Sequence, residues 1–441
     1  MKGEVLISVE VGSTFTKLAG FTEHRGDLTY LGRTESRTAP PGQDVGRAVD
    51  ELIDRAPFLK GRGWDAAVLS SSAAGGLRIA VSGLTPTLST KVAKEVSLGA
   101  GGIVVHSVSG KVKPQDTKKI AELKAGLILV CGGTDGGEES IVLSNARMLA
   151  DSPTDGLFVY AGNEHVQDEI LDIFRSFGKR CVATSNVYPG DDRYHFEEVR
   201  ELIRMSFDRD VVKAPGVDAL AARLHTSCLP TPLAVSRAVE LFGQYFDGLL
   251  AIDVGGATTD IHSYTPPLWS RRTVHTAFEP QLKRSVEGDL GVFHNLANLV
   301  WPGEDPPQPS EPLLEADVIG TYALRAARKG LERHCGTSIP VFGARNAHAV
   351  VNGADLSSVT AVLATGGALR HGMRNPVDLQ LVFDSLADRC LVPSNVQHWL
   401  IDHRYLVSSL GALRAKHEGA VSRFIEKVSE EGLWHTEPRL T

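Results

Sequence analysis

The segment that most restricts the fold of this chain is IDVGGATTDI, which runs from Ile252 to Ile261. An apolar strand enters the segment, a glycine pair turns the chain, and threonines lead into a returning strand. Glycine lets the backbone approach a phosphate closely because it has no Cβ. The carboxylates of Asp253 and Asp260 are the hard oxygen ligands that suit Mg²⁺ and its waters. The segment therefore predicts a phosphate loop rather than a plain hairpin, with phosphate contacts from Gly255, Gly256, Ala257 and Thr258.

A second segment of the same kind lies near the start of the sequence, where EVGSTFTK runs from Glu10 to Lys17 directly after an apolar strand. The glycine turn, the hydroxyl groups and the backbone amides suit phosphate oxygens. Lys17 adds a point charge, and Glu10 is expected to hold a metal-bound water. A strand ending in Gly-Ser-Thr is also a common hairpin, so this loop alone leaves both interpretations open. The residues expected to bind phosphate here are Gly12, Ser13, Thr14, Thr16 and Lys17.

A third glycine turn follows the apolar run from Val362 to Ala364. Its Gly-Gly-Ala sequence lets a flat base lie against the backbone, with no side chain in the way. The residues expected to receive adenosine are Gly366, Gly367 and Ala368. In isolation, a turn before a helix has the same appearance.

Strand-like apolar runs alternate with helix-length segments along most of the 441 residues, which favours the α/β class and more than one domain. The alternation is most regular between residues 76 and 228, as in a doubly wound parallel sheet. We therefore predict three stretches: 1–75 as the first part of a core domain, 76–228 as an inserted α/β domain with a partner-binding role, and 229–441 as the remainder of the core, which carries the second and third loops.

The order of the three loops resembles the signature of the superfamily of actin, heat-shock chaperones and sugar kinases. The resemblance implies an actin-like ATPase fold, with duplicated ribonuclease H-like domains and a doubly wound α/β insertion. It also implies that ATP with Mg²⁺ lies between the two halves. Glu10, Asp253 and Asp260 are the expected metal residues, and Glu10, Asp253 and Asp289 the expected catalytic ones. Glu10 departs from the aspartate that is usual in the first loop of the superfamily.

Within that superfamily, the chain is similar over nearly its whole length to the glutamate mutase accessory protein L family, also called GlmL or MutL. The resemblance rests on the loops at 10–17 and 253–260 together with 70–78, 131–137 and 286–291. It implies a Mg²⁺-dependent ATPase that acts as a reactivating chaperone for an adenosylcobalamin-dependent mutase or aminomutase. In this role, ATP drives the exchange of damaged cobalamin for intact cofactor.

Two other functions fit the same loops. A small-molecule kinase would use Asp289 as a general base toward an acceptor hydroxyl, although Asp289 also suits a helix cap. A scaffold protein would bind nucleotide without turning it over, and the unusual Glu10 keeps this interpretation open.

Two further motifs resemble ligand-binding patterns without matching them fully. The glycine-rich run from Cys131 to Gly137 precedes a helix, so it is either an anion site or a tight turn at the edge of the inserted sheet. The run from Asp260 to Thr265 begins like the cobalamin-ligand pattern D-x-H-x-x-G but ends in threonine. We therefore expect that the chain does not ligate cobalt itself.

Composition restricts the partners and the compartment. A formal net charge of −7 disfavours nucleic acid or an anionic membrane as the main partner. The sequence has no apolar run long enough to span a membrane and no signal-peptide pattern at its start. The five cysteines are scattered and never form a C-x-x-C pair, which fits a reducing compartment. We expect a cytoplasmic protein.

Overall fold

The structure is a computed structural model of the chain. It describes residues 3–12, 14–38, 45–72, 77–86, 88–100, 102–190, 195, 197–211, 216–265, 273–275, 281–293, 295–304, 316–341, 348–373, 375 and 377–430. The chain divides into two compact units. The first comprises Met1–Gly75, Asp208–Ser285 and Leu290–Thr441, and the second comprises Gly76–Phe207 and Val286–Asp289.

The strands and helices are numbered in chain order. The strands are β1 (Glu4–Val11), β2 (Phe15–His24), β3 (Asp27–Arg37), β4 (Ala66–Ser71), β5 (Leu77–Gly83), β6 (Gly102–Ser109), β7 (Leu127–Val130), β8 (Leu157–Tyr160), β9 (Cys181–Ala183), β10 (Cys228–Pro230), β11 (Leu249–Val254), β12 (Thr259–Tyr264), β13 (Thr273–His275), β14 (Leu282–Glu287), β15 (Thr337–Val341), β16 (His348–Asn352), β17 (Ala361–Thr365) and β18 (His398–Ile401). The helices are α1 (Val45–Arg55), α2 (Ser89–Gly99), α3 (Pro114–Glu122), α4 (Ser140–Ala150), α5 (Gln167–Ser176), α6 (Glu197–Val211), α7 (Val217–Arg223), α8 (Thr231–Phe246), α9 (Ala316–His334), α10 (Gly367–Gly372), α11 (Val377–Leu386) and α12 (Val407–Glu430).

Two five-stranded sheets repeat one topology. The first has the order β3-β2-β1-β4-β10 and the second the order β14-β12-β11-β17-β18. In each sheet a tight antiparallel hairpin, β1–β2 or β11–β12, lies beside two parallel strands that are reached by longer crossovers. This duplication is the ribonuclease H-like repeat of the actin-like ATPase fold, so the predicted fold class is confirmed.

The two sheets share a core with helices α8 and α12. Buried residues of both sheets, such as Leu6 and Leu363, belong to the same apolar cluster as residues of these helices. The helices approach closely at Gly411, where an added Cβ would overlap the carbonyl of Ala234. The close packing places the start of α12 beside the end of β1, where the hydroxyl of Ser408 contacts Glu10.

The second unit contains a parallel sheet with the order β6-β5-β7-β8-β9. This is the flavodoxin-like order of doubly wound folds. The predicted insertion of 76–228 differs from the second unit at its far end, since the unit runs only to Phe207 before its short return. The difference arises because β10 pairs in parallel with β4 and so completes the first sheet of the other unit.

A smaller sheet with the order β13-β16-β15 completes the strands of the structure. In the part of the chain that the structure describes, none of the helices combines the length and the apolar character needed to cross a bilayer.

Candidate functional site

A cavity of about 500 Å³ opens in the first unit where the loops after β1 and β11 meet. Its volume falls within the usual range for a small-molecule site. Many of the residues predicted from the three glycine-rich loops line it: Glu10, Gly12, Thr14, Lys17, Asp253, Gly255, Gly256, Thr258, Asp260, Gly367 and Ala368. The structure thus brings together residues that lie more than 350 positions apart in the sequence.

The first loop, after β1, is a tight turn held by hydrogen bonds from within the loop and from Thr38. The amide of Gly12 donates to the carbonyl of Phe15 at 3.0 Å. Thr38 supports the loop from behind, because its hydroxyl donates to the carbonyl of Gly12 at 2.7 Å and its amide to that of Thr14 at 2.9 Å. The hydroxyl of Thr14 is buried and has no hydrogen-bond partner among the described residues. A phosphate oxygen in the cavity would supply that partner, so the loop fits the predicted role.

The second loop repeats the same turn. The amide of Gly255 donates to the carbonyl of Thr258 at 2.9 Å. The amides of Val292 and Phe293 donate to the carbonyls of Gly255 and Gly256, which holds the loop from outside. The two loops touch, since a Cβ added to Gly256 would lie 2.5 Å from the hydroxyl oxygen of Thr14. Glycine is needed there because any side chain would separate the loops or fill the cavity.

Two carboxylates face each other across the second hairpin, where Asp253 of β11 is the register partner of Asp260 of β12. Burial raises the pKa of Asp253 well above its usual range, and the negative charges of Asp260 and Glu10 raise it further. Burial also raises the pKa of Asp260 to about 6, against the opposing effects of Arg284 and of the Thr258 hydroxyl. The Oδ1 atom of Asp260 is buried without a hydrogen-bond partner in the described residues. Such a pair is short of positive charge, and a divalent cation would supply it.

Glu10 is held by two other groups of the site. Its Oε1 accepts from Nζ of Lys17 at 2.7 Å, and its Oε2 accepts from the hydroxyl of Ser408. Burial by itself would raise the pKa of Glu10, but Lys17, the hydrogen bonds and Arg33 outweigh it and hold the pKa below its ordinary value. Since both carboxylate oxygens are engaged, the geometry favours Asp253 and Asp260 over Glu10 as direct metal ligands.

Besides its ion pair with Glu10, Lys17 contacts the ring of Tyr405, whose centroid lies 3.5 Å from Nζ. Burial would lower the pKa of Lys17, but Glu10 and Tyr405 raise it to about 12. Lys17 is therefore charged at neutral pH and lines the cavity as a permanent cation. Neither Tyr405 nor Ser408 carries a recognisable motif in the sequence.

The third loop fits tightly against the second. Gly366 has a φ of +90°, and a Cβ added to it would lie 2.4 Å from both Oδ1 of Asp253 and the carbonyl oxygen of Val254. Behind the loop, the buried Asp402 accepts hydrogen bonds from the hydroxyl of Thr365 and from the amides of Leu406 and Val407. Asp402 thereby joins the end of β17 to the start of α12, a contact that no local sequence pattern indicates.

Several predicted residues lie outside the lining of the cavity. Thr16 is buried, and its hydroxyl pairs with that of Thr38 at 3.1 Å. The carbonyl of Ala257 accepts from the side chain of Asn295. Asp289 is half-buried in the turn after β14 and is not part of the cavity lining, so its role as a base stays a prediction. Ser13 lies outside the described residues.

The glycine-rich run from Cys131 to Gly137 forms a hydrogen-bonded turn. Helix α4 begins after it, and the amide of Ile141 in its first turn donates to Oε1 of Glu138 at 2.8 Å. This bond to the Ile141 amide, with that of the Ser140 hydroxyl, holds the pKa of Glu138 below its ordinary value. Because the chain's own carboxylate occupies the helix N-terminus, the geometry favours the tight turn over the anion site.

The carboxylate pair leads to a prediction about stability. The folded-state pKa of Asp260, about 6, lies above its ordinary value of 3.8, so the metal-free folded state loses stability as the pH rises between those values. We expect Asp260→Asn to raise the free energy of unfolding by roughly 2 kcal/mol at pH 8 and by about half as much at pH 5. Urea unfolding in EDTA at both pH values measures this. The exposed Asp388→Asn is the control, and an Asp260→Asn protein less stable than wild type at pH 8 would contradict the prediction.

The duplicated sheets, with a cavity between their two glycine-rich loops, define a protein of the actin-like ATPase fold. The chain belongs to the MutL protein family, whose profile matches residues 6–305 and 307–428. The family predicted from the loop motifs is therefore confirmed. Protein MutL of Clostridium tetanomorphum is 29% identical over 462 residues, which cover 96% of this chain and 99% of that protein.

Solved structures resemble the chain only distantly. A glycerol dehydratase reactivase aligns with 94% of this chain and 100% of its own at 11% identity, with a TM-score of 0.32. The ethanolamine utilization protein EutJ of Carboxydothermus hydrogenoformans aligns with 94% of this chain and 90% of its own at 11% identity, with a TM-score of 0.27. Similarity at this level supports neither an activity nor a partner for this chain.

Proposed function

We propose that this protein binds and slowly hydrolyses Mg²⁺-ATP, and that it uses the cycle to reactivate an adenosylcobalamin-dependent mutase or aminomutase. One observation carries the nucleotide part of the proposal. Two hydrogen-bonded glycine turns of the same form, after β1 and β11, meet beside a pair of buried carboxylates in one cavity.

The residues present fit that ligand. The hydroxyl of Thr14 and the loop glycines, which line the cavity, would contact phosphate oxygens, and Lys17 would add a fixed positive charge. Asp253 and Asp260 would hold Mg²⁺, which supplies Lewis-acid stabilisation of phosphate charge when bound. Glu10 fixes Lys17 through a short ion pair. Catalysis in such a site rests on positioning and charge stabilisation, and needs no covalent intermediate.

The client part of the proposal rests on the family. The chain belongs to the MutL protein family and aligns with Protein MutL of Clostridium tetanomorphum over nearly the full length of both. Members of the glutamate mutase accessory family serve cobalamin-dependent enzymes, and we extend that role to this chain. It implies a cytoplasmic protein whose partner is a mutase subunit.

The second unit is the proposed contact surface for the client. Its parallel sheet has the flavodoxin-like order β6-β5-β7-β8-β9. A cobalamin-binding domain of that fold in the mutase would have the same architecture. We propose that the second unit contacts the mutase by resembling that domain. Neither the proposed phosphate loops nor the carboxylate pair belongs to this unit.

The nucleotide part is tested by measuring the release of phosphate from ATP by the purified protein, with and without Mg²⁺ and with no added acceptor. We expect phosphate to be released steadily at a slow rate and to require Mg²⁺. Phosphate transferred to an added sugar or alcohol, with little release to water, would identify the kinase instead. Tight ATP binding with no release above background would identify the scaffold. Absence of both binding and release would refute the proposal.

A further inference from the structure

A second pocket, of about 430 Å³, lies in the first unit beside the nucleotide cavity. We call it the arginine pocket, and its principal lining residues are Tyr30, Arg33, Glu35, Arg370, His403 and Arg404. Three guanidinium groups thus share the pocket with one carboxylate. The three arginines and Glu35 together carry an excess of two positive charges.

The positive charges of Arg33 and Arg370, the two inner arginines of the pocket, are only partly balanced by neighbouring carboxylates. The side chain of Arg33 is only 9% exposed, and its Nη2 atom donates to Glu35. Its Nε atom is buried without a hydrogen-bond partner among the described residues. Nη1 of Arg370 lies 3.9 Å from Oε1 of the same Glu35, and within the described part of the chain it also lacks a hydrogen bond. Glu35 is the carboxylate that contacts both guanidinium groups, whereas the neighbouring Asp402 attracts both but already accepts three hydrogen bonds from elsewhere. A buried donor that lacks a hydrogen bond is costly.

The inner arginines also repel one another. Their guanidinium carbons lie 5.1 Å and 5.7 Å from the ring centroid of Tyr405. Burial lowers the pKa of Arg370, and the neighbouring charge of Arg33 lowers it further. The third arginine, Arg404, lies over the ring of Tyr30 at 5.8 Å. A bound anion would relieve this repulsion and complete the missing hydrogen bonds.

From this arrangement we infer that the arginine pocket binds a phosphate group. A phosphate dianion matches the excess charge, and its oxygens accept the paired donors of guanidinium groups. The group belongs either to free inorganic phosphate or to a nucleotide. The pocket is also linked to the nucleotide cavity, because Glu35 lines both and Arg370 lies on α10, which begins in the third glycine loop.

The inference is tested by titrating inorganic phosphate into the full-length protein in low-chloride buffer, followed by calorimetry. We expect saturable binding that is weakened about tenfold or more by Arg404→Gln and by Arg370→Gln, because each removes charge-assisted hydrogen bonds. Glu35→Gln should strengthen binding, since it removes the competing carboxylate. Arg423→Gln is the matched control, because Arg423 is half-exposed and bonds the carbonyl of Gly26 away from the pocket. Circular dichroism checks that each variant is folded.

The outcomes separate cleanly. Binding that weakens in the two arginine variants and strengthens in Glu35→Gln supports the site, whereas equal binding in all folded variants, or none at millimolar phosphate, overturns it. Repeating the titration with saturating ADP identifies the source of the phosphate group. Phosphate binding that is unchanged by ADP indicates a site for free phosphate. Phosphate binding that ADP abolishes, together with weaker ADP binding by Arg404→Gln, indicates a site for a nucleotide.

Discussion

Asp253→Asn is expected to lower the proposed Mg²⁺-dependent ATP hydrolysis about a hundredfold or more, because it removes a carboxylate charge that would hold the metal beside the phosphates. Asparagine keeps the shape of the side chain, so the hairpin register between Asp253 and Asp260 is preserved. The measurement is phosphate release at saturating ATP and Mg²⁺.

The control for this variant is Asp388→Asn, which removes an exposed carboxylate from the same unit and outside the cavity. It should hydrolyse ATP at the wild-type rate. If Asp253→Asn retained wild-type turnover, the carboxylate pair would not be the metal site, and Glu10 would return as the candidate ligand.

Gly366→Ala is expected to abolish nucleotide binding and to destabilise the protein by about 3 kcal/mol. The added Cβ would overlap Oδ1 of Asp253 and the carbonyl oxygen of Val254, each at 2.4 Å, so the third loop must move away from the second. The backbone also has a φ of +90°, which alanine adopts only with strain. Urea unfolding measures the stability and calorimetric titration the ATP affinity.

Gly303→Ala separates the two causes. Gly303 has nearly the same φ, +91°, but an added Cβ meets no atom of the described residues within 4 Å. This control therefore reports the backbone strain alone and should cost about 1 kcal/mol with unchanged ATP affinity. Equal effects of the two substitutions would show that the contact with Asp253 is unimportant.

The parts of the site that could be predicted from the sequence are those with a local pattern. Glycines, threonines and acidic residues directly after the apolar strands β1 and β11 specify phosphate loops because the chemistry and the turn come from one short segment. The resemblance carried by the repeated loops implied the duplicated fold. The observed strand β11 ends at Val254, directly before the glycine turn, as the apolar run that enters this segment predicts.

The remaining parts depend on packing between distant segments. Ser408 contacts Glu10 from almost 400 residues away, and Tyr405 reaches Lys17 only because α12 packs on α8 beside the first sheet. No local pattern marks either residue. The side chain of Thr16 was expected in the cavity, but the alternation of a strand directs it to the opposite face, toward Thr38.

The far boundary of the second unit could not be predicted for a similar reason. The short strand β10 looks like a continuation of the inserted segment in sequence, and only its pairing with β4 places it in the first unit. The glycine-rich run ends at Gly137, but α4 begins only at Ser140, and the side chain of Glu138 accepts a hydrogen bond from the Ile141 amide in its first turn.

The central claim is tested most directly by incubating the protein and Mg²⁺-ATP with a cobalamin-dependent mutase that holds inactivated cofactor, in the presence of free adenosylcobalamin. We predict that mutase activity returns with wild type and ATP, and that it fails to return with Asp253→Asn. A mutase that stays inactive while the wild-type protein releases phosphate from ATP would contradict the reactivating role and leave only the nucleotide site.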